Sequence, residues 1–278
     1  MPRTKVVTDS AADLPEELVE ALDISVVELD VRIGPGAVPA RGLPAAEFWS
    51  RLEASGSLAE TSAPSPGAFR EVFSDAARSG AGGVVCVTLS SELSATHQAA
   101  MAGAAEASGD IPVTVIDSRT ATMGEGFVVL EAAEAAAAGA APDEVAAAAL
   151  ACIEKVRVLG TLESLETLRR GGRIGSAQAF FGSLLSIKPV IEVRGGVVVG
   201  ESRQRTRGRS IRYLAERVAS LGAHRRLAVV HAAAADVDVL VAALAEAGAG
   251  EPSSVGYIGP VIGAHTGPGT LGVCVQLA

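Results

Sequence analysis

Aromatic residues and long apolar runs are scarce in this sequence, and both scarcities limit what the protein can be. Aromatics make up 3% of the residues although hydrophobic residues make up 49%, so alanine and valine supply much of the apolar content. The most apolar stretch, residues 127–141, contains Glu131 and Glu134, whereas a membrane-spanning helix needs about 20 mostly apolar residues. We therefore expect no integral membrane segment. The N-terminal residues also lack the apolar core of a signal peptide, which predicts a cytoplasmic protein.

Cysteine is also scarce, and its spacing argues against a common kind of metal site. Cys86, Cys152 and Cys274 are far apart and lack CxxC or nearby histidine spacing. This pattern is typical of buried thiols in a reducing compartment, so we predict no bound metal. The sequence also lacks GxxxxGK[ST] and a strand-associated GxGxxG. We therefore predict neither a P-loop nor a dinucleotide site, and we expect no cofactor.

Basic residues are fewer than acidic residues over the whole chain, and this limits which partners the protein can bind. The 23 lysines and arginines against 32 acidic residues give a net charge of −9, and this argues against nucleic-acid binding. The local exception is a run in the second half of the chain: Arg203, Arg205, Arg207, Arg209 and Arg212. Such a run is usually a solvated face, and docking of a partner is the alternative.

Short apolar runs in the first half of the chain each lead into a hydroxyl-rich loop and then into a helical pattern. The runs are residues 5–7, 83–89 and 113–116, and the loops begin at Thr8, Ser90 and Asp117. This alternation predicts right-handed crossovers and a parallel sheet in an N-terminal α/β/α domain, residues 1–155. Ligands of such sheets bind at the carboxyl ends of the strands, where these loops lie.

The second half of the chain has a different pattern. Gly195-Gly196 between two apolar runs is a strong signal for a β-hairpin, and helical patterns follow at residues 207–221 and 236–247. These elements predict a C-terminal α+β domain on a mixed or antiparallel sheet, residues 156–278. The predicted fold class is therefore two-domain α/β, and we expect the ligand to lie between the domains.

One segment near the C-terminus is dense in the two residues that disrupt regular structure. Residues 259–272 hold five glycines, two prolines and His265. Because glycine relaxes the backbone and proline fixes φ and removes a donor, this density predicts a shaped loop rather than a helix. His265 is therefore either part of a simple turn or a functional side chain on a rigid loop.

Two earlier loops carry predictions about helix capping. Asp13 is predicted to cap the first helix. Ser65 is suited to cap a helix that begins at Pro66, at the end of a rigid hydroxyl-rich loop. Thr61 and Ser62 open that loop too early for capping, so their hydroxyl groups need another explanation.

Serine chemistry is one explanation for the hydroxyl-rich loops. No GxSxG motif surrounds Ser91 or Ser94, so the signature of an α/β-hydrolase is absent. A triad of Ser91, His265 and either Asp9 or Asp117 remains open, since triads are recognised by geometry rather than sequence order. Neutral hydroxyl groups also suit a second chemistry, the binding of a carboxylate or phosphate by hydrogen bonds.

The loops taken together resemble the motifs of the DegV family, in the family's order and over essentially the whole chain. The stretches that carry the resemblance are residues 7–15, 61–66, 89–96, 116–118, 165–178, 187–190 and 259–272. The resemblance implies a two-domain carrier of a long-chain fatty acid, with no catalytic machinery of its own. It also implies a partner, a separate fatty-acid kinase that converts the bound acid to acyl-phosphate for phospholipid metabolism.

The resemblance assigns roles to individual residues. Thr61 and Ser91 match the family hydroxyls that hold the fatty-acid carboxylate, and His265 matches the residue that completes this head-group site. Arg173 matches an arginine that meets the kinase.

Neighbouring positions in these loops are less specific. Ser62 and Ser94 are further candidate ligand contacts, although Ser62 can equally brace its loop and Ser94 can cap a helix. The chain departs mildly from the family at Ala63, Ala95 and His97, and a change at the first of these reshapes the pocket rim. Two other functions stay open: a serine-type acyl hydrolase using the triad above, and a sugar- or triose-binding subunit of a phosphotransferase.

Overall fold

The described part of the chain forms three β-sheets and the helices that cover them. The structure is a computed structural model, and it describes residues 3–33, 36–39, 43–56, 59–181 and 187–278, with the backbone alone for 36–39. The strands are β1 Thr4–Asp9, β2 Ser25–Val27, β3 Asp30–Ile33, β4 Gly36–Pro39, β5 Ala59–Ser62, β6 Gly83–Thr88, β7 Val113–Asp117, β8 Val156–Thr161, β9 Lys188–Arg194, β10 Val197–Gln204, β11 His224–His231, β12 Ser254–Tyr257 and β13 Leu271–Leu277. The helices are α1 Glu16–Ala21, α2 Ala45–Ser55, α3 Pro66–Arg78, α4 Thr96–Ala107, α5 Met123–Ala137, α6 Pro142–Ile153, α7 Glu166–Arg170, α8 Ala177–Phe181, α9 Arg207–Ala219, α10 Val237–Glu246 and α11 Pro260–Thr266.

The first sheet is parallel and has the strand order β2-β1-β6-β7. Alternate residues of β6 face opposite sides of this sheet. Val84 and Cys86 pack with Phe69 in the layer of α3 and α4, whereas Val85 packs with Phe127 in the layer of α5 and α6. Because both faces are covered, the strands read in the sequence as continuous apolar runs.

The second sheet is mixed, with the strand order β10-β9-β8-β13-β11-β12. Strands β11 and β12 are parallel, and the other neighbouring strands are antiparallel. The predicted hairpin is confirmed, since β9 and β10 are joined at Gly195 and Gly196, whose φ angles are 62° and 92°. The outer face of the sheet packs against α9 and α10 through residues such as Leu159, Leu214 and Leu240.

Helix α5 lies between the two large sheets and is a layer shared by both. It contacts β1 and β6 on one side and β8, β11 and β13 on the other. Its first turn is so close to the second sheet that a Cβ on Gly124 would lie 2.3 Å from Val158 Cγ2. The layers therefore run from α3 and α4 through the first sheet, α5, and the second sheet to α9 and α10.

The architecture confirms the predicted fold class, a parallel α/β sheet followed by a mixed sheet with helices. The boundary after residue 155 stays a prediction, and it falls between the end of α6 and the start of β8. All three cysteines are buried free thiols, as predicted. Among the described helices, none has the length and apolar character needed to cross a membrane.

Two local predictions at the start of helices have different outcomes. Asp13 does not cap α1, because the N-cap residue is Pro15 and no side chain makes a capping hydrogen bond there. Ser65 does cap α3, where its hydroxyl accepts the Ala68 N–H at 3.2 Å. The predicted loop from Thr61 onward is wrong at its start, since its first two residues pair with β3 as the end of β5.

The predicted loop over residues 259–272 is also wrong in its first half, which forms helix α11. Pro260 occupies the first turn, where a missing N–H costs nothing, and Gly267 ends the helix with a φ of 80°. Gly263 in the middle allows close packing, because a Cβ there would lie 2.6 Å from Trp49 Cζ2. Proline and glycine thus mark the ends and the contact face of a short helix.

Replacing Gly263 by alanine tests this packing. The new methyl group would meet the Trp49 ring at 2.6 Å, so we expect the free energy of unfolding to fall by about 1–3 kcal/mol. Gly208→Ala in helix α9 is the matched control, because nothing lies within 4 Å of that Cβ position. It should be neutral or stabilise by up to about 1 kcal/mol. Denaturant unfolding measures both variants, and equal effects would contradict the packing argument.

Candidate functional site

A cavity lies between α11, the inner face of the second sheet and the loops that follow β6 and β7. The space between its lining atoms measures about 880 Å³, its open mouth included. Most of the lining is aliphatic, with Val158 and Ile191 from the second sheet and Leu89 and Leu93 from the loop after β6. Such a lining suits an apolar ligand, and the few polar groups among it fix the ligand's orientation.

Helix α11 and strand β8 run along the cavity and define its two ends. At one end, His265 closes α11 beside Gly171, where a Cβ would lie 2.5 Å from His265 Nδ1. At the other end, Thr122 lines the cavity just before α5 begins, and Val158 lies on the floor. The floor from Val158 to Leu162 is roughly 13 Å long at about 3.3 Å per strand residue. The cavity therefore has a polar end at His265 and a more apolar end where α5 begins.

The polar end is built on a contact between α11 and β5. His265 Nε2 lies 2.8 Å from Thr61 Oγ1. His265 Nδ1 is buried and has no hydrogen-bond partner among the described residues. This nitrogen packs against Gly171, where a Cβ would lie 2.5 Å from it. The polar atoms suited to meet a ligand are therefore His265 Nε2 and the Thr61 hydroxyl, since both residues line the cavity.

The imidazole of His265 is neutral near pH 7. Burial, with a smaller contribution from the positive charge of Arg173, lowers the pKa of His265 to about 4. A neutral imidazole carries one N–H donor and one acceptor nitrogen. When the ring proton is on Nε2, that N–H can be donated to the Thr61 hydroxyl, which in turn can donate to a carboxylate oxygen.

Arg173 brings a positive charge to the cavity wall. Its Nε donates to the Leu93 carbonyl at 3.0 Å, and its Nη1 donates to the Gly171 carbonyl at 2.6 Å. These bonds fix the guanidinium next to the cavity, which it lines. The family resemblance implied a partner contact for this residue, and that stays a prediction. Its place beside the ligand space was missed, because the loop after β6 that orients it is distant in the sequence.

The structure separates the predicted ligand residues into two groups. Those that line the cavity are Thr61, Ser94 and His265. Ser62 and Ser91 are exposed and lie outside the lining. The Ser91 hydroxyl donates to Asp117 Oδ2 at 2.5 Å. Ser94 also accepts the Thr96 N–H at 3.3 Å, so it combines a local turn contact at the start of α4 with a place on the cavity wall.

The geometry gives no support to a serine hydrolase. In a triad the nucleophilic hydroxyl contacts the histidine. Here the Ser91 hydroxyl pairs with Asp117, and His265 pairs with Thr61. The two residues of the alternative mechanism are therefore each engaged elsewhere.

Asp9 supports the loops as a buried carboxylate. Its two oxygens accept the backbone N–H groups of Ala11 and Leu89, each at 2.9 Å. Burial raises the pKa of Asp9 to about 6, although both hydrogen bonds oppose the shift. Burial also raises the pKa of the nearby Glu125 well above its usual range, and Glu125 accepts the Thr8 hydroxyl at 3.2 Å. This cluster joins the end of β1 to the start of α5.

Asp13 connects the two elements that begin at the apolar end of the cavity. Its carboxylate accepts the Thr122 hydroxyl at 2.6 Å and the Gly259 N–H at 3.0 Å. Thr122 lies just before α5, and Gly259 is the N-cap residue of α11. Burial raises the pKa of Asp13 to about 7. Sequence reasoning missed this role, because Thr122 is 109 positions from its partner.

Comparisons with known proteins agree on one family. A family model described as "Uncharacterised protein, DegV family" matches residues 3–277. A DegV domain-containing protein of Streptomyces coelicolor is 40% identical over 280 residues, which are 98% of this chain and 97% of that protein. A DegV family protein from Thermus thermophilus, described as fatty-acid binding, is 31% identical with a TM-score of 0.89, covering 99% of this chain and 100% of that one. DegV from Bacillus subtilis, described as a fatty acid binding protein, is 30% identical with a TM-score of 0.89 over 100% of both chains.

Replacing Arg173 by glutamine tests the electrostatics of the polar end. The pKa of His265 should rise from about 4 but stay below 6.5, because burial is the larger cause of the shift and remains. An NMR titration of the histidine ring signals measures the change. Arg212→Gln removes an exposed arginine of α9 and is the control, with the pKa of His265 unchanged. An unaltered pKa in the Arg173 variant would show that its charge does not act on the imidazole.

Replacing Asp13 by asparagine tests the link between α5 and α11. The folded pKa of about 7 lies above the ordinary 3.8, so this group contributes stability at low pH that is lost as pH rises through about 7. The free energy of unfolding of the Asp13→Asn variant should therefore decrease less than that of the wild type between about pH 4 and pH 7. The companion Asp13→Ala should cost more, about 1–3 kcal/mol, because it leaves the Gly259 N–H without an acceptor. Identical pH profiles of wild type and Asp13→Asn would rule out this linkage.

Proposed function

The chain belongs to the DegV family, and from that membership we propose that it binds a long-chain fatty acid in the cavity along α11. The carboxylate lies beside Thr61, His265 and Arg173, and the acyl chain extends toward Val158. The observation that carries the proposal is an aliphatic cavity whose polar end holds a neutral histidine paired with the Thr61 hydroxyl. The description of the two structural relatives as fatty-acid binding supports the same ligand class.

The acyl chain supplies most of the affinity. Burial of about 16 carbons at about 0.8 kcal/mol per methylene gives on the order of 12 kcal/mol of gross transfer free energy. The loss of ligand freedom opposes this gain with a cost of similar size. Head-group contacts therefore orient the acid more than they hold it.

The polar end suits a carboxylate that has to remain reactive. The His265 imidazole and the Thr61 hydroxyl are neutral, so they stabilise a carboxylate by hydrogen bonds without a full countercharge. Arg173 already donates from Nε and Nη1 to backbone carbonyls, so it supplies positive charge more than a bidentate clamp. We propose that Ser94 adds a hydrogen bond from the opposite wall. A role for Ser62 and Ser91 at the carboxylate remains a prediction.

The protein acts as a carrier for a second protein and not as an enzyme in its own right. We propose that a cytoplasmic fatty-acid kinase phosphorylates the bound carboxylate to acyl-phosphate, in the service of phospholipid metabolism. Arg173 would meet the kinase at the open mouth of the cavity. Arg169 and Arg170 are exposed beside it on α7, each paired with Glu166, and they extend the positive surface that an acidic partner would contact.

Thr61→Val and His265→Ala test the division between head group and tail. In delipidated protein, each should lower the affinity for a fatty acid by about tenfold, the worth of one hydrogen bond to a charged group. Affinity for the fatty alcohol of the same length should change little, because the tail contacts are intact. Formation of acyl-phosphate with a fatty-acid kinase should fall more than binding of the acid.

Ser91→Ala is the control for these two variants, because the Ser91 hydroxyl contacts Asp117 and lies outside the cavity lining. Ser91→Ala should leave binding close to that of the wild type if its hydroxyl stays with Asp117, and its effect decides whether Ser91 reaches the carboxylate. Native mass spectrometry of the protein as purified should show a co-purifying mass in the fatty-acid range. Binding of small polyols in place of fatty acids, or stoichiometric labelling of Ser91 by a fluorophosphonate, would overturn the carrier function.

A further inference from the structure

Gly160 lies in the interior of a central strand, and its backbone does not explain why it is glycine. It pairs with Gly272 of β13 on one side and with Ile191 of β9 on the other. Both registers run past it without a bulge, and it is not among the residues with positive φ. Glycine in such a place weakens a strand, since it loses more backbone entropy and packs no side chain. It often marks a position that a ligand approaches closely.

The neighbouring Gly272 packs against a side chain, whereas Gly160 meets only backbone atoms, of which one carbonyl oxygen is close. A Cβ on Gly272 would lie 2.8 Å from Val230 Cγ2, so the valine fills the space above that residue. A Cβ on Gly160 would have only backbone atoms within 4 Å beyond its chain neighbours, the Leu271 carbonyl oxygen at 3.2 Å and the Gly272 Cα at 3.9 Å. No side chain of the described residues occupies the space above Gly160, and that space belongs to the cavity.

Gly160 lies midway along the cavity floor. Along β8 and the residue that follows it, the residues that line the same face alternate as Val158, Gly160 and Leu162. Leu162 packs with Leu168 near the polar end, and Val158 meets the first turn of α5. A chain that runs from the polar end to the start of α5 therefore passes over the glycine, roughly 7 Å from either neighbour along the strand.

We infer that the acyl chain crosses β8 directly over Gly160, and that the missing side chain there sets how long a chain the cavity accepts. The inference rests on the proposed binding of a fatty acid. A side chain at this position would stand between the polar end and Val158 without touching Thr61 or His265. Acids short enough to end before Gly160 would bind as before, and longer acids would lose the contacts beyond it.

Gly160→Ala and Gly160→Val test this role against Gly256→Ala, a strand glycine of β12 with nothing within 4 Å of its Cβ position. Affinities of the delipidated proteins are measured for saturated fatty acids of graded length. Each excluded methylene lowers affinity about fourfold, so the valine variant should bind the longest acids roughly 50-fold more weakly if it excludes about three methylenes. The shortest acids should bind it as they bind the wild type. The alanine variant should show a smaller shift in the same direction, and the β12 control none.

The pattern across chain lengths separates this inference from its alternatives. Thermal unfolding confirms that each variant is folded. If valine disturbs the sheet, the chain-length dependence of the alanine variant alone provides the test. A uniform loss of affinity at all lengths, or an unchanged length preference in both variants, would overturn the role of Gly160 while fatty-acid binding by the wild type stands. A wild type that binds no fatty acid would instead overturn the proposed function itself.

Discussion

The packing of helix α5 between two sheets is the constraint on which the rest of this structure depends. The helix is buried along almost its whole length because both of its sides face β-strands. The cavity begins where this helix begins, and its wall there is made by Ala121 and Thr122 just before the first turn. The cavity is thus the part of the gap between the loops and the second sheet that α5 does not fill. Asp13 fixes its border by holding the starts of α5 and α11 together.

Burial also sets the chemistry of the polar end. The same exclusion of water that makes the cavity apolar keeps His265 neutral and raises the pKa of Asp13. A cavity that accepted an imidazolium beside Arg173 would place two positive charges together in a medium of low dielectric constant. With one fixed cation and neutral hydrogen-bonding groups, the site matches a single negative charge attached to an apolar chain.

The elements of the fold were largely predictable from the sequence, because the apolar runs of β6 and the Gly195-Gly196 turn are local signals. The segment at residues 259–272 was not predictable. Proline and glycine disrupt the interior of a helix, whereas Pro260 in the first turn and Gly267 just after the last turn favour one. The sequence singled out Thr61 and His265, and the structure brings both to the cavity wall. The positions of Arg173 and Gly160 at the cavity required knowing which strands and loops face each other, and this is tertiary information that spacing does not contain.

The contact between Thr61 and His265 joins residues 204 positions apart. During synthesis, the last strand of the first sheet, which ends at Asp117, is therefore made long before His265. A nascent chain that lacks His265 lacks part of the cavity lining, so a ligand could bind there only after the C-terminal region has folded. A ligand that binds only the folded state raises the free energy of unfolding as its concentration rises above Kd, so the supply of such a ligand would also set how well the finished protein resists unfolding and proteolysis.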